Sequence, residues 1–599
     1  MTLRFDLESL HEAYAAGLSP RAVIEAAYAR LESVADPGIF IHLAPIEPLL
    51  REAEALGAFD PVARPLWGVP FAVKDNIDVA GMPTTAACPA FSRIAGEDAT
   101  VVAMLKRAGA LCLGKTNMDQ FATGLVGVRT PYPVPRNAID PRLAPGGSSS
   151  GSAVAVAHGI VSFALGTDTA GSGRIPAGLN NIVGLKPTVG ALSTTGVVPA
   201  CRSLDCVSIF ALTVDDAYRV FQIAAAPDAS DPWSKAVPVL PLGARPPTLR
   251  LGVPARAERR FFGDDTMEAA YEATLARLER LGCRIVELPF GDFHAVAALL
   301  YQSAFVAERY AAIRGFLERN ESALHPVTRE IVMGAREFSA ADAFESLYAL
   351  KRLTRNIEPL LASVDLLCIP TAPGLCTLAD VAAEPIAANT RLGTYTNFVN
   401  LLDLCGMAVP AGALPSGAPM SVTLLGPAKA DALAAALARD LHAASNETLG
   451  ATGWRLRSQC ATAPASDDRI ELAVVGAHLS GMPLNGELRA LGARFLRETR
   501  TASGYRLFAL AGQTPPKPGL LRDATGRGAV EVEVWSLDRA AFGAFVAAVP
   551  SPLCIGALRL ADGSSPKGFL VEPAALAGAE DITSFGGWRA FVAKHRGPM

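Results

Sequence analysis

Two serines in glycine-rich loops stand 24 residues apart: Ser148 in "PGGSSSGSAVAVAHG" and Ser172 in "GTDTAGSGRIPAG". A serine hydroxyl is a weak nucleophile and needs a base within hydrogen-bond reach. The chain has eight histidines, and none sits in a setting that recommends it as that base. A lysine is the alternative, provided burial lowers its pKa, because an exposed amine is protonated at neutral pH. Lys74 closes the apolar run "LWGVPFAVKDN", which a strand would carry into the core. Taken alone, a lysine at a strand end more often reaches back to solvent, so the reading depends on its company. A serine between lysine and nucleophile can relay a proton, because its hydroxyl both accepts and donates. Gly171 and Gly173 leave the backbone free to turn N–H groups toward a forming oxyanion.

Rival readings of these loops are weaker. "GSSSG", Gly147–Gly151, fits the nucleophile-elbow pattern, which requires a strand before it. The preceding "PRNAIDPRLAPG" holds three prolines and does not read as a buried strand. "GLNNIVGLK" imitates a phosphate loop, but its glycine spacing is wrong and Pro187 follows the lysine.

The elements that position these residues follow from periodicity. Residues 1–60 read as helices, with Ser19 as N-cap and Pro20 at the first helical position of one of them. "LWGVPFAVKDNIDVAG" reads as a strand running into a turn, and "TVVAMLKRAGALCLGKTNMDQF" as helix, strand, helix, with Gly109 as the first stop. Helices alternate with short apolar runs to about residue 450, an α/β pattern with buried strands. The polar stretch 457–469 reads as a linker. Beyond it "IELAVVGAHL", "GYRLFALAG" and "AVEVEVWSLD" read as strands of a second α+β domain. The expected division is 1–456, linker 457–469 and 470–599.

A length of 599 residues fits about two to four domains, and a composition half hydrophobic and 19% charged provides ample core. A net charge of −4 with no basic run argues against nucleic acid as partner. The ten cysteines are scattered, as in a reducing compartment. No signal-peptide pattern and no run of 18 apolar residues appears, so a cytoplasmic location away from membranes is expected. No metal-ligand cluster is visible, and neither metal nor cofactor is expected.

The motifs "GVPFAVKDNIDVAG", "GKTNMDQFATG", "PGGSSSGSAVAVAHG", "GTDTAGSGRIPAG" and "GLKPTVG", in this order, resemble the amidase signature family. The resemblance implies a fold with a mixed central β-sheet covered by helices. It also implies a Ser–cisSer–Lys triad: Ser172 as nucleophile, Ser148 as bridge and Lys74 as base. The backbone N–H groups of Thr169, Ala170, Gly171 and Ser172 would form the oxyanion hole, and Asp168 and Arg174 would shape its loop.

The substrate is narrowed by "LLYQSAFVAERYAAI". Tyr301 and Arg309 lie eight apart, just over two helical turns, and so share a helix face. Together they suit a small carboxylate; a solvated Arg beside Glu308 and a Tyr in packing remain the structural alternative. The two-domain architecture resembles the allophanate hydrolase family, in which such a pair grips the substrate carboxylate. "TNMDQFATGLVGVRTPY" looks like that family's segment, and Gly124 within it is implied in substrate binding. Hydrolysis of the terminal amide of allophanate (urea-1-carboxylate) is then expected, giving ammonia and N-carboxycarbamate and ultimately carbon dioxide. The setting would be urea or cyanuric-acid nitrogen use. A homodimer, and association with enzymes of the same pathway, come with the resemblance. The second domain resembles a γ-glutamylcyclotransferase-like fold, whose role is decarboxylation or assembly. In it His478 is either a carboxylate ligand or structural, and Glu533 either an acid of the fold or solvent-facing. An amidase of other specificity, a glutaminase subunit and a non-catalytic scaffold are the competing function classes.

Overall fold

The computed structural model describes residues 3–445, 448–457, 469–523, 525–526 and 528–596. The chain divides into two compact units. One holds Met1–Val239, Leu251–Leu281 and Ile285–Ser458; the other holds Leu240–Arg250, Gly282–Arg284 and Gln459–Met599. The stretch read as a linker, 457–469, lies outside the described residues except at its two ends.

The first unit is built on a mixed sheet of 11 strands. Its functional half is a run of neighbours: Leu111–Thr116, Pro70–Lys74, Phe163–Asp168, Cys206–Ala211 and Val183–Lys186. Pro70–Lys74 pairs in parallel with both of its neighbours, with Lys74 opposite Thr116 and Val73 opposite Leu165. All five residues of "PFAVK" are buried, as an apolar run without alternation demands when a strand is covered on both faces. Parallel pairing brings the carboxyl ends of these three strands to one edge. Lys74, Thr116 and Asp168 therefore come together there, where ligands bind in open α/β sheets.

Two short helices complete this edge. Ser150–Ala157, "SGSAVAVA", is buried along its whole length, which its small and apolar residues on every face permit. It starts immediately after Ser148 and Ser149, so the serine loop is anchored by a helix locked into the core. Ile175–Leu179 follows the second serine loop, with Pro176 in its first turn.

The local expectations meet mixed outcomes. Ser19 caps Pro20–Val34 by accepting from the Ala22 N–H at 3.2 Å. The helix Thr100–Arg107 is followed by Gly109 at φ +97° and by the strand Leu111–Thr116. The helix expected after that strand is only a 3₁₀ turn, Gln120–Ala122, with Phe121 and Ala122 at φ 50° and 53°. Residues 1–60 contain a strand, Phe40–Leu43, besides the helices Leu7–Ala15, Pro20–Val34 and Ile46–Ala55. Four residues at the sheet edge give too short a pattern to announce themselves.

The second unit carries a five-stranded sheet in the order Arg494–Arg500, Glu531–Asp538, Arg469–Val474, Lys567–Val571, Leu553–Ala557. Its pairings are antiparallel except that of Arg469–Val474 with Lys567–Val571. In "VEVEVW" the odd-even alternation does not divide core from solvent. Val532, Val534 and Trp535 are buried, and so is Glu533. No helix among the described residues is long and apolar enough to cross a membrane.

Candidate active site

Lys74 has no solvent exposure. Its Nζ donates to Ser148 Oγ at 2.7 Å and to Thr167 Oγ1 at 2.8 Å. Burial drives its pKa down, the carboxylates of Asp119, Asp168 and Asp205 pull it back up, and Arg309 lowers it again; it stands at about 7. A buried amine held by hydroxyls rather than by a bonded carboxylate is free to be neutral near physiological pH. Lys115, equally buried on the neighbouring strand, instead pairs with Asp75 at 3.3 Å.

The Gly147–Ser148 peptide is cis, and Ser148 is fully buried. Its carbonyl accepts from the Asp119 N–H at 3.0 Å. Ser172, 2% exposed, donates through Oγ to the Gly124 carbonyl at 3.4 Å. That bond is long, and the Ser172 to Ser148 hydrogen bond is not formed in the structure. Catalytic hydrogen bonds commonly tighten only with substrate in place.

The loop that presents Ser172 is held from inside. Asp168 and Arg174 make a doubly hydrogen-bonded ion pair with both contacts at 2.9 Å, neither side chain exposed. Asp168 also accepts from the Gly171 and Gly173 N–H groups at 3.0 Å each. Burial alone would raise the Asp168 carboxyl, but Arg174 overrides it and holds it below its ordinary range. Gly171 sits at φ +134°, and a Cβ there would meet Thr396 Oγ1 at 2.4 Å, so the position admits no side chain. Among the four N–H groups expected to face an oxyanion, that of Gly171 is therefore turned inward to Asp168. Those of Thr169, Ala170 and Ser172 have no hydrogen-bond partner among the described residues.

Tyr301 and Arg309 do not share a helix face as their spacing predicts: Tyr301 lies in the last turn of Gly291–Gln302 and Arg309 in Ala307–Asn320, with Ser303 extended and the 3₁₀ turn Ala304–Val306 between them. Arg309 is 2% exposed. Its Nη2 donates to Tyr301 Oη at 2.9 Å, and its Nη1 to the Ala122 carbonyl and Thr123 Oγ1 at 3.2 Å each. Its Nε has no partner, and no ion pair with a carboxylate is made at this guanidinium among the described residues. The solvated-Arg alternative is thus set aside: Glu308, the neighbour it invoked, accepts instead from the Ser203 hydroxyl and N–H. Residues 122–124 connect the two centres, because Thr123 binds Arg309 and Gly124 binds Ser172.

Several residues at this site were not singled out by sequence. Asp119 accepts from the N–H groups of Gly127 at 3.0 Å and Arg129 at 2.8 Å. Asp205 accepts from Thr169 Oγ1 at 2.5 Å and from the Ala200 and Cys201 N–H groups; burial raises its carboxyl against those bonds. Thr167 shares Lys74 with Ser148. Asn400 donates to the Asp168 carbonyl at 2.9 Å. Asp119 and Thr167 lie within or beside the quoted motifs, whereas Asp205 and Asn400 do not; Thr167 and Asn400 take their roles from partners far away in the chain.

The second unit holds the other two candidates. His478 lines a cavity of about 270 Å³ with Glu487, Lys517, Phe545 and Phe569. Its Nε2 lies 3.0 Å from Glu487 Oε2, its ring stacks on Phe569, and burial lowers its pKa. Glu533 does not face solvent. It accepts from the Ser480 N–H at 2.9 Å, Ser480 Oγ at 2.5 Å and Trp535 Nε1 at 3.0 Å, and pairs with Arg589.

Residues 22–434 match the amidase family, and residues 470–593 match the allophanate hydrolase C-terminal domain. Urea amidolyase of Lachancea kluyveri is 44% identical over 544 residues, covering 88% of this chain and 30% of that protein; that of Saccharomyces cerevisiae is 43% identical, with the same coverage. The chain thus spans about 30% of the length of these curated relatives. The solved structure of Kluyveromyces lactis allophanate hydrolase matches with a TM-score of 0.79 at 40% identity, covering 99% of this chain and 100% of that one. The chain belongs to the amidase signature family and is an enzyme of the two-unit form that carries the allophanate hydrolase C-terminal domain.

Proposed function

We propose that this enzyme hydrolyses the terminal amide of allophanate, with the first unit as the seat of the chemistry. The observation that carries the reading is Lys74: buried, hydrogen-bonded to Ser148 at 2.7 Å and neutral above about pH 7. In its neutral form Lys74 takes the Ser148 proton while Ser148 takes that of Ser172. Ser172 Oγ attacks the amide carbon, and the N–H groups of Thr169, Ala170 and Ser172 stabilise the oxyanion. The tetrahedral intermediate expels ammonia, protonated through the same relay, and leaves an acyl-Ser172 ester. Water, deprotonated along the same path, releases N-carboxycarbamate, which loses carbon dioxide.

The charged end of the substrate is assigned to Arg309, Tyr301 and the Gly124 backbone. A buried guanidinium without an ion-paired carboxylate suits an anion. The nucleophile and this anchor are tied to adjacent residues, Gly124 and Thr123, which favours a short substrate. A glutaminase role is less well supported, since glutamine sets its carboxylate farther from its amide carbon. In the second unit we assign the carboxylated product to the cavity beside His478, on the strength of its Lys517 and imidazole. A homodimer, pathway partners and cyanuric-acid use rest on the family resemblance, and a cytoplasmic location on the sequence pattern of the N-terminal region.

Ser172→Ala is expected to abolish ammonia release from allophanate, because no second nucleophile is presented by the loop. Turnover within tenfold of wild type would remove Ser172 from the mechanism.

A further inference from the structure

The residues between nucleophile and anion anchor are gripped from behind by two side chains to which the reaction gives no role. Arg129 is 1% exposed. It donates through Nη1 to the Thr123 carbonyl at 2.8 Å and through Nη2 to the Pro385 carbonyl at 3.0 Å. Its Cδ lies against Gly124, 3.2 Å from where a Cβ would stand. Asn389 is 6% exposed and accepts from the Leu125 N–H at 2.7 Å. Pro385 and Asn389 belong to one helix, Pro385–Leu392. The strap 123–125 is thus tied at both ends to that helix, while its other side binds Arg309 and Ser172.

Tyr301, Arg129 and Asn389 also line a common cavity of about 470 Å³. What can select length is the separation of two fixed points, the attacking oxygen and the anion anchor. Selection by separation requires a rigid link.

We propose that Arg129 and Asn389 are positioning residues that clamp the 123–125 strap to the helix Pro385–Leu392, and so set the length of ω-carboxylate amide the site accepts. The inference rests on the carboxylate role of Arg309 given above. It assigns Arg129 a mechanical task, distinct from supplying positive charge.

The test compares kcat/KM for malonamate, with one atom between carboxylate and amide carbon, and for succinamate, with two, in wild type, Arg129→Lys, Asn389→Ala and Arg309→Ala. Propionamide is the neutral control. Arg129→Lys keeps the cation but replaces the rigid two-nitrogen fork, which reaches Thr123 and Pro385 separately, by one ammonium on a flexible stem. The clamp predicts that Arg129→Lys and Asn389→Ala each lower the malonamate-to-succinamate ratio at least tenfold. Their preference for malonamate over propionamide and the midpoint of the pH profile should be kept. Equal losses on malonamate and succinamate would show a merely structural role and overturn the clamp; so would an unchanged ratio in Arg129→Lys. Should one variant fail to fold, the other carries the same ratio. An Arg309→Ala effect equal on malonamate and propionamide overturns the anion anchor itself, an outcome separate from failure of the clamp.

Discussion

Lys74 is placed as a base because it is buried without a bonded carboxylate and its amine is hydrogen-bonded to the Ser148 hydroxyl. Lys115 and Lys186 are as deeply buried, but Lys115 is paired with Asp75 and Lys186 donates to the Pro187 and Leu404 carbonyls at 2.8 and 2.7 Å. With the Lys74 pKa at about 7, kcat/KM for a small amide should rise about tenfold per unit below that pH and level off above it. A profile flat from pH 5.5 to 8.5 would exclude an amine of that pKa from the rate-determining step. The same shift acts on stability. The folded-state pKa lies below the unfolded value, so between about pH 7 and the ordinary lysine range the unfolded chain binds the extra proton. Stability therefore rises with pH across that window. Urea unfolding should show wild type gaining on Lys74→Met as pH increases from 7 toward 10. A difference independent of pH would mean that the amine stays charged in the fold.

At the scale of elements, the nucleophile loop is a strand end turned by an internal ion pair. Arg174 compensates a carboxylate that has no access to water. Removing one partner of such a pair typically costs about 3–5 kcal/mol. Here the Gly171 and Gly173 N–H groups remain on Asp168, which favours the lower end. Arg174→Met should lower stability by about 3 kcal/mol and reduce kcat far more than it raises KM, since the loop presents the oxyanion donors. Chemical denaturation and steady-state kinetics on one preparation check both; loss of KM alone would contradict the loop's role. The strand assignments that matter here were legible in sequence. "PFAVK" reads as a doubly covered strand from its unbroken apolar run, and it is one. The missing helix at 120–122 was not legible, because Asp119 spends its carboxylate on the Gly127 and Arg129 N–H groups and fixes a compact loop that periodicity cannot register.

At the scale of the molecule, the second unit is not simply the tail of the chain. Leu240–Arg250 and Gly282–Arg284 belong to it, and the Thr248 N–H donates to Ser480 Oγ at 3.4 Å. A chain ending at 457 would keep those segments without the residues that cover them. Such a fragment should release ammonia from malonamate with near-native KM but aggregate at a lower temperature than the full chain, as followed by light scattering on heating. A fragment of equal thermal stability would show that the 240–250 segment folds independently of the second unit. The proline-rich stretch around it, with Pro238, Pro241, Pro246 and Pro247, marks a connection but not where it belongs, because a partner such as Ser480 lies more than 200 residues away.

By itself the sequence determined the types of group available and which short runs are strands: two serines in glycine loops, a lysine at the end of a buried run, and an arginine and a tyrosine close in the chain, which the fold brings together from two separate helices. Those follow from local backbone preference and side-chain periodicity. The tertiary structure decided which buried lysine meets Ser148, which N–H groups remain open once Asp168 has taken that of Gly171, and that Glu533 points inward to Ser480 and Arg589. Burial and hydrogen-bond partners are set by residues distant in the chain, and a charge's behaviour depends on both.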